Sequence, residues 1–343
     1  MNRRDFLQAA AALGLLGPFG AAAIAGEKDA VPAPSVDTLA PLVGDLTVYL
    51  GRGEGGLYGE IIDAIRKRCP DFKLKLRRAP AAALVNTLEA ESRYGVQKAD
   101  LFWSIDATSL GAVAAAGLAR PVPTDILRYI KPAFRYHAWA AISGRLRTIP
   151  YNPTRVDAAR IPDHIMAFAD SDFRIGWAPS YGAFRSFITA MRLLAGEQGT
   201  RDWLLGVKQQ ARSYGGELSV VMAVARGEVD LGFANHYYTL RLKAGLPDAD
   251  VQLALTNHDA GSLINASGAV LLSDNPLAAQ FLRYLFTREV QSWLVREAYE
   301  IPMVADVAPP AGLPSPINPP ELDLTKLTDL QGTLKLLRET GVL

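Results

Sequence analysis

The chain has 343 residues, of which 49% are hydrophobic and 21% are charged, and its formal net charge is +1. This length exceeds the size at which a single hydrophobic core keeps growing, so we expect two lobes or domains. A charge this close to zero, without a basic run after the first few residues, excludes nucleic acid as a partner.

The first residues are predicted to be a targeting segment rather than part of the fold. A twin-arginine pattern at Arg3 and Arg4 precedes an apolar run that glycines and a proline interrupt. Such a run is a poor membrane-spanning helix and is typical of an export signal. We predict a twin-arginine signal peptide over residues 1–25, export to the periplasm, and a flexible leader over residues 26–44. An uncleaved N-terminal anchor is the alternative.

Strand and helix patterns alternate through the first part of the chain. Strands are predicted at 46–50, 73–77 and 99–105, and helices at 57–67 and 81–93. A glycine loop that carries Arg52 and Glu54 follows the first strand, and Asp106 opens a helix after the third. This alternation is typical of an α/β lobe with a largely parallel sheet.

A second α/β unit follows an extended run at residues 145–151, which Asn152-Pro153 ends. We expect this run to cross between two lobes and to form part of a hinge. The later predicted elements are strands at 175–177, 229–234, 253–255 and 268–272, a short helix that ends at 242, and helices at 184–195, 219–225, 276–294 and 323–339.

The order of these elements predicts a two-lobed α/β fold, with a ligand cleft between lobes that crossing strands join. We assign residues 45–148 and 262–305 to lobe 1, and residues 149–261 and 306–343 to lobe 2. Ligands in such folds bind outside the carboxyl ends of strands, so the junctions between strands and helices should line the site.

Oxygen ligands occupy three of these junctions. They are Glu54 after the first strand, Tyr181 after the strand at 175–177, and Tyr237 and Tyr238 after the strand at 229–234. A helix N-terminus favours phenolate over phenol, and phenolate is a hard ligand for a hard cation. Because two or three phenolates and a carboxylate would roughly neutralise the ion, we predict that these four side chains bind Fe(III). The alternative is that the tyrosines only pack as half-buried aromatics.

Enzyme signatures are absent from the sequence. It has no Gly-x-Ser-x-Gly elbow, no Walker A loop and no His-Glu-x-x-His pair. The glycines at 51, 53 and 56 match a dinucleotide fingerprint, but no acidic residue ends the next strand. The four histidines are not spaced as zinc ligands, and we expect His236 to be a packed or partly exposed neighbour of the tyrosines. We therefore predict a binding protein rather than an enzyme.

The chain resembles the periplasmic ferric-iron-binding proteins of ABC importers, which have the type II periplasmic-binding-protein fold. The likeness rests on segments 46–52, 99–104, 175–184, 227–238 and 260–265. It implies a monomeric solute-binding protein that closes over transported Fe(III) and delivers it to an ABC permease in the inner membrane. Tyr237 and Tyr238 match the iron-binding tyrosine pair. Tyr181 matches a third tyrosine found in the branch that needs no bound synergistic anion.

The resemblance also suggests residues around the ligands. Glu217 falls near the position where the other branch offers an amide to its anion, and a carboxylate there would repel one. Asp106, beside a position that is a glutamate ligand in one branch, is our second choice after Glu54 for the ligand of lobe 1. Arg52 is expected to balance charge, and Asn235 to lie beside the tyrosine pair.

An alternative function is a binding protein for a small anion, such as phosphate or a carboxylate. Arg52, Arg145 and the helix N-termini would hold the anion. The two carboxylates expected near the cleft, Glu54 and Glu217, argue against this reading.

Overall fold

The computed structural model describes residues 30–51 and 57–343. The predicted signal peptide, the first residues of the predicted leader, Arg52 and Glu54 lie outside these ranges. Within the part of the chain that is described, no helix is both long enough and apolar enough to cross a membrane.

Helices and strands alternate as an α/β fold requires. The strands are β1 (Gly44–Gly51), β2 (Phe72–Ala79), β3 (Leu101–Ser104), β4 (Ala140–Tyr151), β5 (Ile175–Trp177), β6 (Ala211–Ser213), β7 (Leu231–Gly232), β8 (Ala234–Asn235), β9 (Gln252–Ala254), β10 (Ile264–Leu271) and β11 (Ile301–Pro302). The helices are α1 (Leu57–Arg68), α2 (Ala81–Arg93), α3 (Ala107–Ala115), α4 (Thr124–Leu127), α5 (Gly182–Lys208), α6 (Glu217–Ala225), α7 (His236–Gly245), α8 (Pro276–Leu285), α9 (Arg288–Trp293) and α10 (Leu330–Glu339).

The strands form two groups that share β4. The hydrogen-bonded order is β2-β1-β3-β10-β4-β7-β5-β6, and β8, β9 and β11 also pair with β4. In lobe 1, β1 runs parallel to β2 and β3, and β10 is antiparallel. In lobe 2, β5 runs parallel to β6 and β7. The sheets of both lobes are therefore mixed, with parallel strands at their outer sides.

Strand β4 is the crossing strand that the sequence predicts. Its first residues pair with β10 and β11, and its last residues pair with β7, β8 and β9. The predicted boundary after residue 148 thus falls inside one continuous strand. Gly144 is needed here, because a Cβ at this position would lie 2.7 Å from the side chains of Ile264 and Met303.

Several predicted elements are divided in the structure. The predicted strand at 229–234 is two strands, since β7 pairs with both β4 and β5, whereas β8 pairs with β4 alone. The predicted helix at 276–294 restarts at Thr287, whose hydroxyl caps α9. The predicted terminal helix becomes a 3-10 turn (Leu324–Lys326) followed by α10, which Asp329 caps.

The prediction of a flexible leader is wrong for residues 30–44. This segment contains a 3-10 turn (Val36–Thr38), and Val36 and Leu42 are buried in the core. The Val36 N–H and the Ser35 hydroxyl both donate to the Glu289 carboxylate, over 2.9 and 2.8 Å. The proline-rich and alanine-rich composition suggested a linker, but two apolar side chains and these hydrogen bonds attach the segment to lobe 1.

The C-terminal segment contacts both lobes. Leu324 and Leu327 are buried, and a Cβ on Gly111 of α3 would lie 3.0 Å from the Thr325 carbonyl oxygen. Helix α10 instead packs on α5 of lobe 2, where the hydroxyls of Thr333 and Thr189 are 2.8 Å apart. Residues 306–343, which the sequence assigns to lobe 2, therefore divide between the lobes.

Candidate metal centre

A cavity of about 420 Å³ lies at the carboxyl ends of the strands, between the two lobes. Lobe 1 and the crossing strand contribute Tyr58, Asp106, Arg145, Arg147 and Glu300 to its wall. Lobe 2 contributes Tyr181, Asn235, Tyr237 and Arg241. The cavity is therefore lined by tyrosine oxygens together with paired acidic and basic groups.

The three predicted tyrosines meet at two helix N-termini. Tyr181 is the N-cap residue of α5, and Tyr237 and Tyr238 lie in the first turn of α7. The phenol oxygens of Tyr181 and Tyr238 are 2.6 Å apart, and the ring centroids of Tyr237 and Tyr238 are 4.4 Å apart. Tyr237 and Tyr238 are 4% and 6% exposed. Two helix dipoles thus point their positive ends at one cluster of phenol groups.

An aromatic cluster positions Tyr181. Trp177, at the end of β5, contacts Phe184 edge-on with ring centroids 5.7 Å apart, and Phe184 and Trp203 both contact Phe187. These rings are almost fully buried, so they fix the first turns of α5 against the sheet of lobe 2. The N-cap residue of α5 is held in place as a result.

Residues 30–51 and 57–343 contain no cluster of the most common metal-binding side chains. Within these ranges, no three His, Cys, Asp or Glu side chains lie close enough together to hold a metal ion. The closest pair of tyrosine oxygens described above, those of Tyr181 and Tyr238, consists of phenol groups.

His236 is buried beside the tyrosine pair and points away from the cavity. Its Nδ1 accepts from the Leu146 N–H over 3.1 Å, and its Nε2 lies 2.6 Å from the Tyr299 carbonyl oxygen. Burial lowers the pKa of the imidazole to about 4. A neutral ring whose two nitrogens are both hydrogen-bonded to the backbone has a packing role, as the sequence analysis expected.

Glu217 lies beneath the tyrosine helix and is fully buried. Its Oε1 is 2.7 Å from Nη1 of Arg147, and its Oε2 accepts from the Asn235 N–H over 2.8 Å. Asn235 is the N-cap residue of α7 and makes no side-chain capping bond. The carboxylate of Glu217 accepts the Asn235 N–H, which is one of the four N–H groups that have no partner within the helix. Glu217 thus supports the tyrosine pair from below, in an ion pair that the sequence did not reveal.

A second buried ion pair lies at the lobe 1 side of the cavity floor. Nη2 of Arg145 is 3.0 Å from Oε1 of Glu300, and the Tyr58 hydroxyl lies 3.3 Å from Oε2. Burial, together with the nearby Glu300 carboxylate, raises the pKa of Tyr58 to about 12. Burial alone would lower the pKa of Arg145, but Glu300 raises it well above its ordinary value. Arg145 therefore stays charged and Tyr58 stays a neutral donor.

Asp106 lines the cavity but is also a helix cap. Its Oδ1 accepts from the Ser109 N–H over 2.7 Å, and its Oδ2 lies 3.1 Å from the Ser109 hydroxyl. Both carboxylate oxygens thus have partners within the first turn of α3. A capping aspartate can contact a ligand only by weakening those hydrogen bonds.

Sequence comparison identifies the family. Residues 46–300 match the family described as bacterial extracellular solute-binding protein. The chain belongs to this family. This solute-binding protein is 27% identical over 327 residues to the major ferric iron-binding protein of Neisseria meningitidis, a match that covers 91% of this chain and 98% of the relative.

Two further relatives agree with this assignment. The solute-binding protein is 27% identical over 285 residues to the Fe(3+)-binding periplasmic protein of Serratia marcescens, covering 79% of this chain and 83% of the relative. The crystal structure of iron-bound HitA from Pseudomonas aeruginosa is similar, with a TM-score of 0.76 and 27% identity, over 87% of this chain and 99% of that one. These matches confirm the predicted family, the two-lobed α/β fold and a binding protein rather than an enzyme.

Proposed function

We propose that this protein carries ferric iron in the periplasm, bound in the cavity between its lobes, and delivers it to an ABC permease of the inner membrane. The observation that carries the proposal is the 2.6 Å separation of the Tyr181 and Tyr238 oxygens beside Tyr237. Relatives named as ferric iron-binding and periplasmic proteins support the same function. Export by the twin-arginine pathway, through residues 1–25, and action as a monomer belong to this proposal.

The proposed ligands are the phenolates of Tyr181, Tyr237 and Tyr238, with Glu54 as the ligand from lobe 1. Fe(III) requires strong anionic oxygen donors to offset its loss of hydration, and phenolates at helix N-termini meet that requirement. Glu217 and Asn235 then support the tyrosine helix rather than bind the metal, since they are hydrogen-bonded to each other beneath it.

The buried ion pairs count against the alternative of a small-anion carrier. Arg145 and Arg147 both line the cavity, but each is paired with a buried carboxylate, Glu300 or Glu217. An anion bound by Arg145 or Arg147 would have to break that residue's pair, which would leave a buried carboxylate without its counter-charge.

Titration of the metal-stripped protein with a ferric chelate tests the proposal. A visible charge-transfer band from tyrosinate to iron should appear and saturate at one equivalent. Titration with phosphate or citrate alone should give no stabilisation in a thermal-shift assay. The absence of a band, or a thermal shift with the anions and none with iron, would refute iron binding by tyrosines.

The ligand of lobe 1 can be tested by comparing two conservative variants. If Glu54 binds iron, Glu54→Gln should lower the affinity about 100-fold, since losing even a residue that only supports a ligand costs about 10–100-fold. Asp106→Asn keeps an acceptor for the Ser109 N–H and should change the affinity far less. Competition against a chelator of known affinity measures both. A larger loss in Asp106→Asn would assign Asp106 instead.

A further inference from the structure

Arg241 lies one helical turn after Tyr237 on α7 and lines the same cavity. Its guanidinium carbon is 4.8 Å from the centroid of the Tyr237 ring, above the ring face. Residues four apart on a helix share one side of it, so the backbone itself brings this cation to the tyrosine. Neither the motif search nor the family resemblance pointed to Arg241.

A lobe 1 backbone carbonyl fixes the position of the guanidinium. Nη2 of Arg241 donates to the Ala298 carbonyl oxygen over 3.1 Å. Ala298 ends a π-helical turn (Leu294–Ala298), and Tyr299 follows in the left-handed conformation with φ of 56°. The last carbonyls of a helical turn have no partner within it, so they attract cationic donors. This hydrogen bond helps to hold the Arg241 side chain over the Tyr237 ring.

The other two arginines of the cavity wall make different contacts. Arg145 and Arg147 are paired with the buried carboxylates of Glu300 and Glu217. His236, which precedes Tyr237 in the chain, has both ring nitrogens at backbone groups, the Leu146 N–H and the Tyr299 carbonyl oxygen. Among these groups, Arg241 is the cation that lies against the face of a proposed ligand ring.

We propose that Arg241 is a positioning residue that stabilises Tyr237 as an iron-bound phenolate. The inference rests on the proposed function and assigns a role to a residue that does not itself contact the metal. A cation over an aromatic face is attracted by the ring, and more strongly when the ring carries a negative charge. Arg241 would therefore raise the affinity for Fe(III) and lower the energy of the phenolate orbital that donates charge to iron.

Two variants separate charge from hydrogen bonding. Arg241→Gln removes the charge but keeps an amide donor, whereas Arg241→Lys keeps the charge. We expect Arg241→Gln to lower the affinity for Fe(III) about 3- to 30-fold and to move the charge-transfer band to longer wavelength. Arg241→Lys should stay within about threefold of the parent protein, with its band unshifted.

Arg212→Met is the matched control. In the parent protein, the guanidinium of Arg212 also lies over a tyrosine of lobe 2, 5.6 Å from the Tyr214 ring centroid, but Arg212 is outside the cavity wall. This variant should leave both the affinity and the band unchanged.

The result that overturns the inference is specific to Arg241. The proposed role of Arg241 is refuted if Arg241→Gln keeps the affinity and band of the parent protein. It is also refuted if Arg241→Lys loses as much affinity as Arg241→Gln. A purely structural role would lower the melting temperature of the variants without moving the band of their iron complexes. If the parent protein itself shows no band, the proposed function fails first, and the two failures are thereby distinguished.

Discussion

Replacing both adjacent tyrosines, as Tyr237→Phe with Tyr238→Phe, should remove most of the charge-transfer band, leaving only the contribution of Tyr181, and lower the affinity for Fe(III) by at least ~10⁴-fold. Each substitution removes an anionic oxygen, and the loss of a group that merely supports a ligand already costs about 10–100-fold. The phenyl rings preserve most of the packing in this buried pair, so the protein should still fold. Absorbance titration and chelator competition measure the two effects.

Single substitutions separate the contributions of the three tyrosines to the affinity for Fe(III) and to the charge-transfer band. Tyr181→Phe should lower the affinity but leave a band, because Tyr237 and Tyr238 remain. Tyr214→Phe is the control from the same lobe, since Tyr214 lies outside the cavity wall. A double variant that keeps the band of the parent protein at full intensity would mean that iron binds elsewhere.

Glu217→Ala should lower the free energy of unfolding by about 3–5 kcal/mol, the usual cost of breaking a buried ion pair from one side. The substitution would leave the Arg147 guanidinium, only 3% exposed, without its counter-charge. It would also remove the acceptor of the Asn235 N–H at the start of the tyrosine helix. Urea unfolding of the metal-free protein measures the loss.

A surface ion pair provides the comparison for Glu217. Asp172→Ala breaks a pair with Arg160 whose side chains are 79% and 58% exposed, so stability should hardly change. Glu217→Gln should fall between the two variants, because it keeps an acceptor but loses the charge. If Glu217→Ala were no more destabilising than Asp172→Ala, the carboxylate would not support the helix.

The local patterns of the sequence predicted the elements that carry the tyrosines. Strand ends meet at one edge of a sheet, so Tyr181 and Tyr238 could be brought together from their positions alone, 57 residues apart. The distance between their oxygens and the aromatic packing behind Tyr181 depend on how α5 and α7 sit on the sheet. No periodicity in the sequence specifies those details.

Pairs of charged residues distant in sequence were harder to foresee. Arg147 and Glu217 are 70 residues apart, and Arg145 and Glu300 are 155 apart. The available signal was the presence of two arginines in an otherwise apolar strand, since buried charges require partners. This pattern predicts that each arginine has an acidic partner, but it does not identify which carboxylate that partner is. Arg241 could be connected to Tyr237 from helical spacing, but its anchor on Ala298 could not.

Strand β4 has a consequence for how the lobes can move. Side chains alternate along a strand, so Arg145 and Arg147 project from the same face, roughly 6.6 Å apart. One pairs with Glu300 from lobe 1 and the other with Glu217 from lobe 2. Covalent bonds within one strand therefore set the separation of the two ion pairs. We therefore expect any relative motion of the lobes to pivot at this strand, with the smaller displacement at the cavity floor and the larger one at its mouth.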